Sequence, residues 1–278
     1  HRNFKQQNRL KHIFIRKYNT SMSVQVVVAK YNEDVGWTQR CPHKVVIYSK
    51  NPDEPNYVHE GRGSETTSYL RHIIDNYDTL SEWTLFVHGH EFHWHHPMSV
   101  LKSCEMDLDA LKGHCKFLSI NHGRWGIHTQ FGDYEFAHRT LPIMVYRPSA
   151  FTPSELSRDE YCQVMHDVFG AEEFNAIVSK YFPNDNTLRK QSYPPCAQFY
   201  VHKDRIRARP KSFYENCYKL CADKSYLLGK LAGKGEYKER TIAGFFFEAN
   251  WHYIFGEEYL YIPPYASYNN YPFKSPRT

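Results

Sequence analysis

The chain has 278 residues, of which 41% are hydrophobic, enough for one large α/β domain with a substantial core. Its net charge is +5, but six basic residues lie within the first 17 positions, so the remainder is close to neutral. That distribution argues against a nucleic-acid-binding surface. No apolar run reaches the roughly 18 residues of a membrane-spanning helix, so no membrane span is predicted.

The organisation predicted is a single domain over residues 22–278, with an aromatic tail that begins near residue 257. We expect Met22 to be the natural start, with the basic arm of residues 1–21 coming from upstream or added sequence. The seven cysteines form no CxxC pair, which is typical of reduced thiols, and this favours a cytoplasmic protein.

Strands and helices alternate in the first third of the chain. Continuous β-branched and apolar runs predict buried strands at residues 24–30, 44–48 and 83–87. A short helix at 35–39 and a longer one from Ser64 to Tyr77 separate them. This βαβαβ order predicts a Rossmann-type parallel sheet, although neither a GxGxxG fingerprint nor a P-loop is present.

The later elements are predicted with less regular spacing. A long polar loop covers residues 121–139. Helices are expected at residues 97–111, 154–169, 172–181, 210–221 and 241–255, and strands at 116–120 and 198–201. Gly256 is placed to end the last helix. The predicted fold class is therefore α/β, with a mixed, mostly parallel sheet and helices on both faces.

One polar motif follows the first predicted strand, and another precedes the second predicted helix. Tyr31, Asn32, Glu33 and Asp34 come after the first strand, where they can bind a base or ribose or can cap the next helix. Arg62, in a glycine-flanked loop before the second helix, can bind a pyrophosphate or can pair with Glu65.

A burst of histidines follows the third strand. His88, His90 and Glu91 have spacings that suit a transition metal, with His93 and His95 close behind. On an extended strand, the first two histidines would face one side. The alternative is a hydrogen-bonded histidine cluster that contacts phosphate without a metal. Because Mg²⁺ and Mn²⁺ prefer oxygen ligands, we predict weak or absent dependence on these ions.

Two acidic residues are candidates for a general base. Glu248 lies among aromatic residues on the last predicted helix, where burial should raise its pKa. The alternative is a structural carboxylate paired with an arginine. Asp133, in the polar loop, is the rival base. Trp94 beside His95 predicts either a platform for stacking on a sugar or plain core packing.

Taken in chain order, these motifs resemble a family of GT-A-like proteins from fungi, bacteria and large viruses, long catalogued as a domain of unknown function. The resemblance runs from residue 24 to about residue 256. It rests on Tyr31-Asn32-Glu33-Asp34 with Trp37, Gly61-Arg62 with Glu65, Tyr69-Leu70, Phe86-Val87-His88-Gly89-His90 with Trp94-His95, Gln198-Phe199 with Val201, and Phe247-Glu248 with Trp251 and Ile254-Phe255-Gly256.

The resemblance implies a GT-A fold and the transfer of a sugar from a nucleotide donor to a glycan or glycoprotein. It implies donor-binding roles for the motifs after the first and third strands and for Arg62 and Glu65. Acceptor-binding roles fall to Trp94, His95, Gln198 and Trp251. The chain departs from the broader GT-A pattern in lacking an Asp-x-Asp signature, which bears on its metal dependence.

A narrower resemblance, to xylosyltransferases of large algal viruses, implies xylose as the sugar and the host cytoplasm as the location. The leading hypothesis is an inverting glycosyltransferase that uses a UDP-sugar. A histidine-ligated metallohydrolase and a non-catalytic carbohydrate-binding protein are the alternatives. The sequence leaves the donor sugar, the acceptor and the linkage open.

Overall fold

A computed structural model of the protein describes residues 23–59, 64–93, 99–106, 108, 115–120, 156–181, 196–232 and 240–259. Within these residues, one five-stranded sheet is combined with seven α-helices and a 3₁₀-helix. The α/β class predicted from the sequence is therefore confirmed.

The first three strands form the parallel part of the sheet. Strand β1 (Val24–Lys30) lies in the middle, with β2 (Lys44–Ser49) on one side and β3 (Trp83–His88) on the other. The central residues of β1 and β3 are buried on both faces, which explains why their sequences are continuous apolar runs. The predicted bounds of these strands are confirmed to within one residue.

The last two strands make the sheet mixed. Strand β5 (Phe199–His202) is inserted between β3 and β4 (Phe117–Ser119) and runs antiparallel to both. The strand order is β2-β1-β3-β5-β4, so four of the five strands point the same way. Because β5 is reversed, its amino end lies at the same edge of the sheet as the carboxyl ends of β1 and β3.

The 3₁₀-helix is Gly36–Arg40, and the α-helices, in chain order, are α1 (Thr66–Asn76), α2 (Val100–Cys104), α3 (Arg158–Phe169), α4 (Ala171–Tyr181), α5 (Lys203–Arg207), α6 (Lys211–Ala222) and α7 (Ile242–Ile254). The prediction of one helix over 97–111 was wrong in extent, because α2 ends at Cys104 and a turn follows at Glu105. The sequence reading also missed α5.

Helix boundaries follow local chemistry. Ser157 and Glu160 form a reciprocal capping box at the start of α3. Pro210 precedes the first residue of α6, as expected of a residue with a fixed φ and no N–H. Gly256 follows α7 with a φ of 81°, a left-handed conformation that glycine adopts without strain.

Alternate residues of the strands face two hydrophobic layers. Val27, Phe86 and Phe199 point into the larger layer, which α1, α3, α6 and α7 cover. Val26 and Leu85 point into the smaller layer, which Trp37 of the 3₁₀-helix and Val100 of α2 cover. Helices therefore lie on both faces, as predicted. None of the helices in the described ranges is long and apolar enough to cross a membrane.

Candidate functional site

The candidate site lies at the carboxyl edge of the parallel strands. From β1, the chain moves to β2 on one side of the sheet and later to β3 on the other, so the strand order reverses at β1. Such a switch point leaves a crevice outside the carboxyl ends of the two diverging strands, and ligands of open α/β sheets bind there. Segments 31–34 and 88–93 follow β1 and β3 at this edge.

Two acidic side chains stabilise the turn after β1 by accepting hydrogen bonds from nearby backbone N–H groups. Glu33 Oε2 accepts a hydrogen bond from the backbone N–H of Tyr31 at 2.5 Å. Asp34 Oδ1 accepts from the N–H of Gly36 at 2.8 Å and closes a turn before the 3₁₀-helix. The side-chain helix cap that the sequence offered as an alternative role, at Asn32, is not formed. Asn32 is exposed, and the residue at the cap position is Val35.

Gly89, between the two predicted histidine ligands, permits a very close approach. A β-carbon added at Gly89 would lie 2.8 Å from Glu33 Oε2 and 2.9 Å from Glu33 Cβ. Its carbonyl oxygen also accepts a hydrogen bond from the buried Trp37 Nε1, at 2.7 Å. The loops after β1 and β3 are therefore locked together at Gly89, and only glycine fits.

Two histidines extend this contact. His90 Nε2 lies 3.8 Å from Glu33 Oε1, and the rings of His90 and His93 stack with centroids 5.2 Å apart. Burial lowers the pKa of His93, and the neighbouring His90 and Arg240 add to that effect. The His93 imidazole is therefore biased toward its neutral form, which can accept or donate a hydrogen bond.

Glu91, a candidate metal ligand, has other partners. Its carboxylate accepts hydrogen bonds from Arg40 and, at 2.7 Å, from the Ser99 hydroxyl. Strand β3 ends at His88, so the alternation that would align His88 with His90 does not continue. No group of three or more metal-binding side chains occurs within the described ranges.

The second half of the site comes from α1 and α7. A β-carbon at Gly244 of α7 would lie 3.0 Å from Ser64 Oγ, so α7 packs closely on the start of α1. Glu248 follows one helical turn later, and Glu65 follows Ser64. The two carboxyl groups interact electrostatically, and Arg240 acts on both.

Burial raises the pKa of Glu248, as the sequence predicted, against the opposing effects of the Cys196 backbone N–H and of Arg240. Burial likewise raises the pKa of Glu65 to about 7, and the negative charge of Glu248 adds to that rise. Near neutral pH, Glu65 is therefore divided between its protonated and ionised forms. A pair of buried carboxyl groups beside cations can supply a base and a proton-holding partner.

Tyr69 joins the two halves of the site. Its buried hydroxyl donates to the carbonyl oxygen of Ala197 at 3.1 Å. Burial raises its pKa well above the usual value, and the charges of Glu65 and Glu33 both contribute. Glu33 in the β1 loop and Glu65 at the start of α1 therefore both act electrostatically on Tyr69.

Two cations of the site were missed in the sequence. Arg240 immediately precedes the cap residue of α7 and acts on Glu65, Glu248 and His93. Lys50 follows β2, donates to Thr67 Oγ1 at 2.7 Å and also acts on Glu65. Lys50 follows the carboxyl end of β2, the edge at which open α/β sheets bind ligands, and this position is a signal that could have identified it.

Two predicted acceptor-binding residues lie in the interior. Trp251 is 1% exposed and stacks on Phe255 at 5.6 Å between ring centroids. Gln198 is 2% exposed, and its Oε1 accepts from the backbone N–H of His88 at 3.1 Å, which ties the start of β5 to the end of β3. Both side chains support the site from within, and their roles in acceptor binding stay predictions.

Four predicted site residues lie outside the described residues: Arg62, Trp94, His95 and Asp133. Their roles stay predictions. The described part of the site therefore consists of the β1 and β3 loops, the Glu65–Glu248 pair and the two cations.

We expect Gly89→Ala to lower the free energy of unfolding by about 1–3 kcal/mol, the usual cost of overpacking. The added methyl group would overlap Glu33, whose carboxylate holds the Tyr31 N–H. Urea unfolding measures the change. Gly36→Ala is the matched control, because its methyl group would meet only the end of the Asp34 side chain at 3.1 Å or beyond. Equal stability of the two variants would contradict the close approach.

The chain matches one family model over most of its length. The model of the family described as "Protein of unknown function (DUF3431)" matches residues 26–115 and 148–269, more than half of the chain. The two matched segments contain both halves of the site, and Asp133 falls in the gap between them. Neither a curated protein nor a solved structure matches the chain. The chain belongs to the DUF3431 family.

Proposed function

We propose that this protein is an inverting glycosyltransferase with a GT-A-like fold, which moves a sugar from a UDP-sugar to a glycan or glycoprotein acceptor. The observation that carries the proposal is Glu248, a carboxyl group of raised pKa beside Glu65 and Arg240 in the crevice of an open α/β sheet. A general base must be stable as a carboxylate yet basic enough to accept a proton, and burial beside a cation provides both.

The nucleotide is proposed to bind over the β1 loop. Asn32 is exposed there, and the partly buried carboxylate of Glu33 lies beside His90. These groups can accept and donate hydrogen bonds to a base or ribose. Arg62 is proposed to bind the diphosphate, since guanidinium groups recognise phosphate oxygens in pairs.

In the proposed reaction, Glu248 removes the proton of an acceptor hydroxyl, and the hydroxyl oxygen attacks the anomeric carbon on the face opposite the diphosphate. The bond between that carbon and the diphosphate oxygen breaks, and UDP leaves. Arg240 lies on the side of the carboxyl pair and favours the carboxylate form of Glu248, and Arg240 and Lys50 do the same for Glu65. On the opposite face, Arg62 is proposed to stabilise the departing diphosphate. With a pKa of about 7, Glu65 is only partly ionised at neutral pH, which reduces the negative charge beside Glu248.

We retain the expectation that Mg²⁺ or Mn²⁺ contributes little. Glu91, the carboxylate within the histidine segment, is already bound by Arg40 and Ser99. We also retain xylose as the donor sugar and the cytoplasm as the compartment. All seven cysteines are free thiols, which supports a reducing compartment.

Calorimetric titration with UDP, GDP and ADP tests the proposal, with and without Mn²⁺. We expect UDP to bind most tightly, and Arg62→Ala to weaken it about ten- to a hundredfold, the contribution of one charge-assisted hydrogen-bonding group. Arg71→Ala is the matched control, because Arg71 is exposed on α1 and pairs with Asp75.

Other outcomes separate the alternatives. Glycan binding without affinity for any nucleotide would replace the proposal with a carbohydrate-binding protein. Stoichiometric zinc or iron in the purified protein, with hydrolysis and no transfer, would replace it with a metallohydrolase. Unchanged UDP affinity in Arg62→Ala would remove that residue from the site.

A further inference from the structure

Two thiols from distant parts of the chain meet beside the candidate site. Cys41 directly follows the 3₁₀-helix, and Cys104 is the last residue of α2. Their Sγ atoms lie 3.7 Å apart. A disulfide bond needs about 2.05 Å, so the sulfur atoms must approach each other by less than about 2 Å.

The segments that carry these thiols are held together by polar contacts. The ring Nε2 of His43 lies 2.8 Å from the carbonyl oxygen of Cys104 and can donate to it. Glu91 links Arg40, the neighbour of Cys41, to Ser99 at the start of α2. The pair is therefore not a chance approach of two mobile side chains, because hydrogen bonds on either side of it fix both segments.

The two sulfur atoms differ in reactivity. Cys41 is half-buried and its pKa is lowered to about 7, chiefly by the hydrogen bond between its sulfur and that of Cys104, with help from the His43 backbone N–H. Cys104 is 2% exposed, and the interaction with Cys41 together with burial raises its pKa far above the usual value. Cys41 is thus the accessible thiolate, and Cys104 is the protonated partner behind it.

We propose that Cys41 and Cys104 form a redox site, in which a hydroperoxide oxidises Cys41 and Cys104 resolves the product into a disulfide. The Cys41 thiolate attacks one peroxide oxygen, the O–O bond breaks, and hydroxide (or alkoxide) leaves as a sulfenic acid forms on Cys41. The sulfur of Cys104 then attacks the sulfenic sulfur, the S–O bond breaks, and water leaves with the thiol proton. Two thiols are oxidised and one peroxide is reduced.

The disulfide would close a loop over residues 41–104, which contains β2, α1 and β3. Trp37, four residues before Cys41, donates to Gly89, and Arg40 binds Glu91. A covalent bond between Cys41 and Cys104 would join the end of the 3₁₀-helix to the end of α2. It would also constrain the unfolded chain over a long segment, so the oxidised protein should melt at a higher temperature than the reduced protein.

Treatment of the full chain with hydrogen peroxide, followed by alkylation and non-reducing peptide mapping, tests the proposal. We expect a cross-linked peptide pair that contains Cys41 and Cys104, reversed by dithiothreitol. Alkylation of reduced Cys41 by iodoacetamide should accelerate as the pH rises through about 7, where the thiolate forms. Cys162, another half-buried thiol, is the internal control and should not cross-link to either residue.

Two variants separate the roles. In Cys104→Ser, peroxide should leave a sulfenic acid on Cys41, which dimedone labels; in Cys41→Ser, Cys104 should stay unlabelled. Circular dichroism checks that each variant folds, and Cys104→Ala replaces Cys104→Ser if the hydroxyl is not tolerated in the core. Failure of the wild-type protein to form this cross-link, or its formation mainly with Cys115, would overturn the proposal.

Discussion

Replacing Glu248 by glutamine is expected to lower the turnover of sugar transfer by roughly 10²–10⁴-fold, the usual contribution of a positioned general base. Glutamine keeps the shape of the side chain but cannot accept the proton. Donor affinity should change little, because a base acts mainly in the transition state. Turnover measured by UDP release, together with UDP affinity by calorimetry, checks both parts of this expectation.

Glu257 provides the matched control. Burial also raises its pKa, but it lies beyond the carboxyl end of α7, beside Arg205. Glu257→Gln should therefore retain near-normal turnover. If Glu248→Gln stays active while Asp133→Asn does not, the base lies in the loop of residues 121–139, and Glu248 is a structural carboxylate.

The pH dependence of turnover gives a second measurement on the same carboxyl group. A base works only when deprotonated, so turnover should rise with pH through the pKa of Glu248. Because burial raises that pKa, this rise should occur above the range of an ordinary glutamate. The rise should be absent from the residual activity of Glu248→Gln.

We expect Trp251→Ala to cost about 3–5 kcal/mol of the free energy of unfolding, as for other large buried aromatic residues. Trp251 is 1% exposed and packs against Phe199, Phe247 and Phe255. Removal of the indole would leave a cavity between the sheet and α7. Urea or thermal unfolding measures the loss.

Trp251→Phe distinguishes core packing from a role in acceptor binding. The indole Nε1 is buried with no hydrogen-bond partner within the described ranges, so phenylalanine loses volume but no hydrogen bond. We expect it to be markedly more stable than Trp251→Ala. A stable Trp251→Ala variant with a raised KM for the acceptor would instead return this residue to the acceptor site.

The parallel half of the sheet was predictable because burial on both faces leaves a strong local pattern. The continuous apolar runs at Val24–Lys30 and Trp83–His88 identified β1 and β3 almost to the residue. The helix at 97–111 failed because an apolar pattern continued past Cys104, where the chain turns. Nothing local distinguishes such a pattern from a helix.

The properties of a site residue were predictable only where one segment of sequence determines its surroundings. The raised pKa of Glu248 followed from its aromatic neighbours in the sequence. The proximity of Glu248 to Glu65 and Arg240 could not be predicted, because it depends on how α7 crosses the start of α1. Trp251 is of a residue type that often stacks on sugars, yet tertiary packing places it in the core. Long-range placement is not encoded in any single window of sequence.

The antiparallel strand β5 delays the step of folding at which the carboxyl edge of β1 and β3 is completed. Its contacts with β3 join residues that are far apart in the chain, as in the bond between His88 and Gln198, 110 positions later. Closing so long a loop slows folding, since the chain loses much entropy before the contact forms. During synthesis β1, β2 and β3 leave the ribosome before Glu248, which lies much later in the chain. The β1–β3 side of the crevice should thus gain protection from hydrogen exchange before the carboxyl pair does.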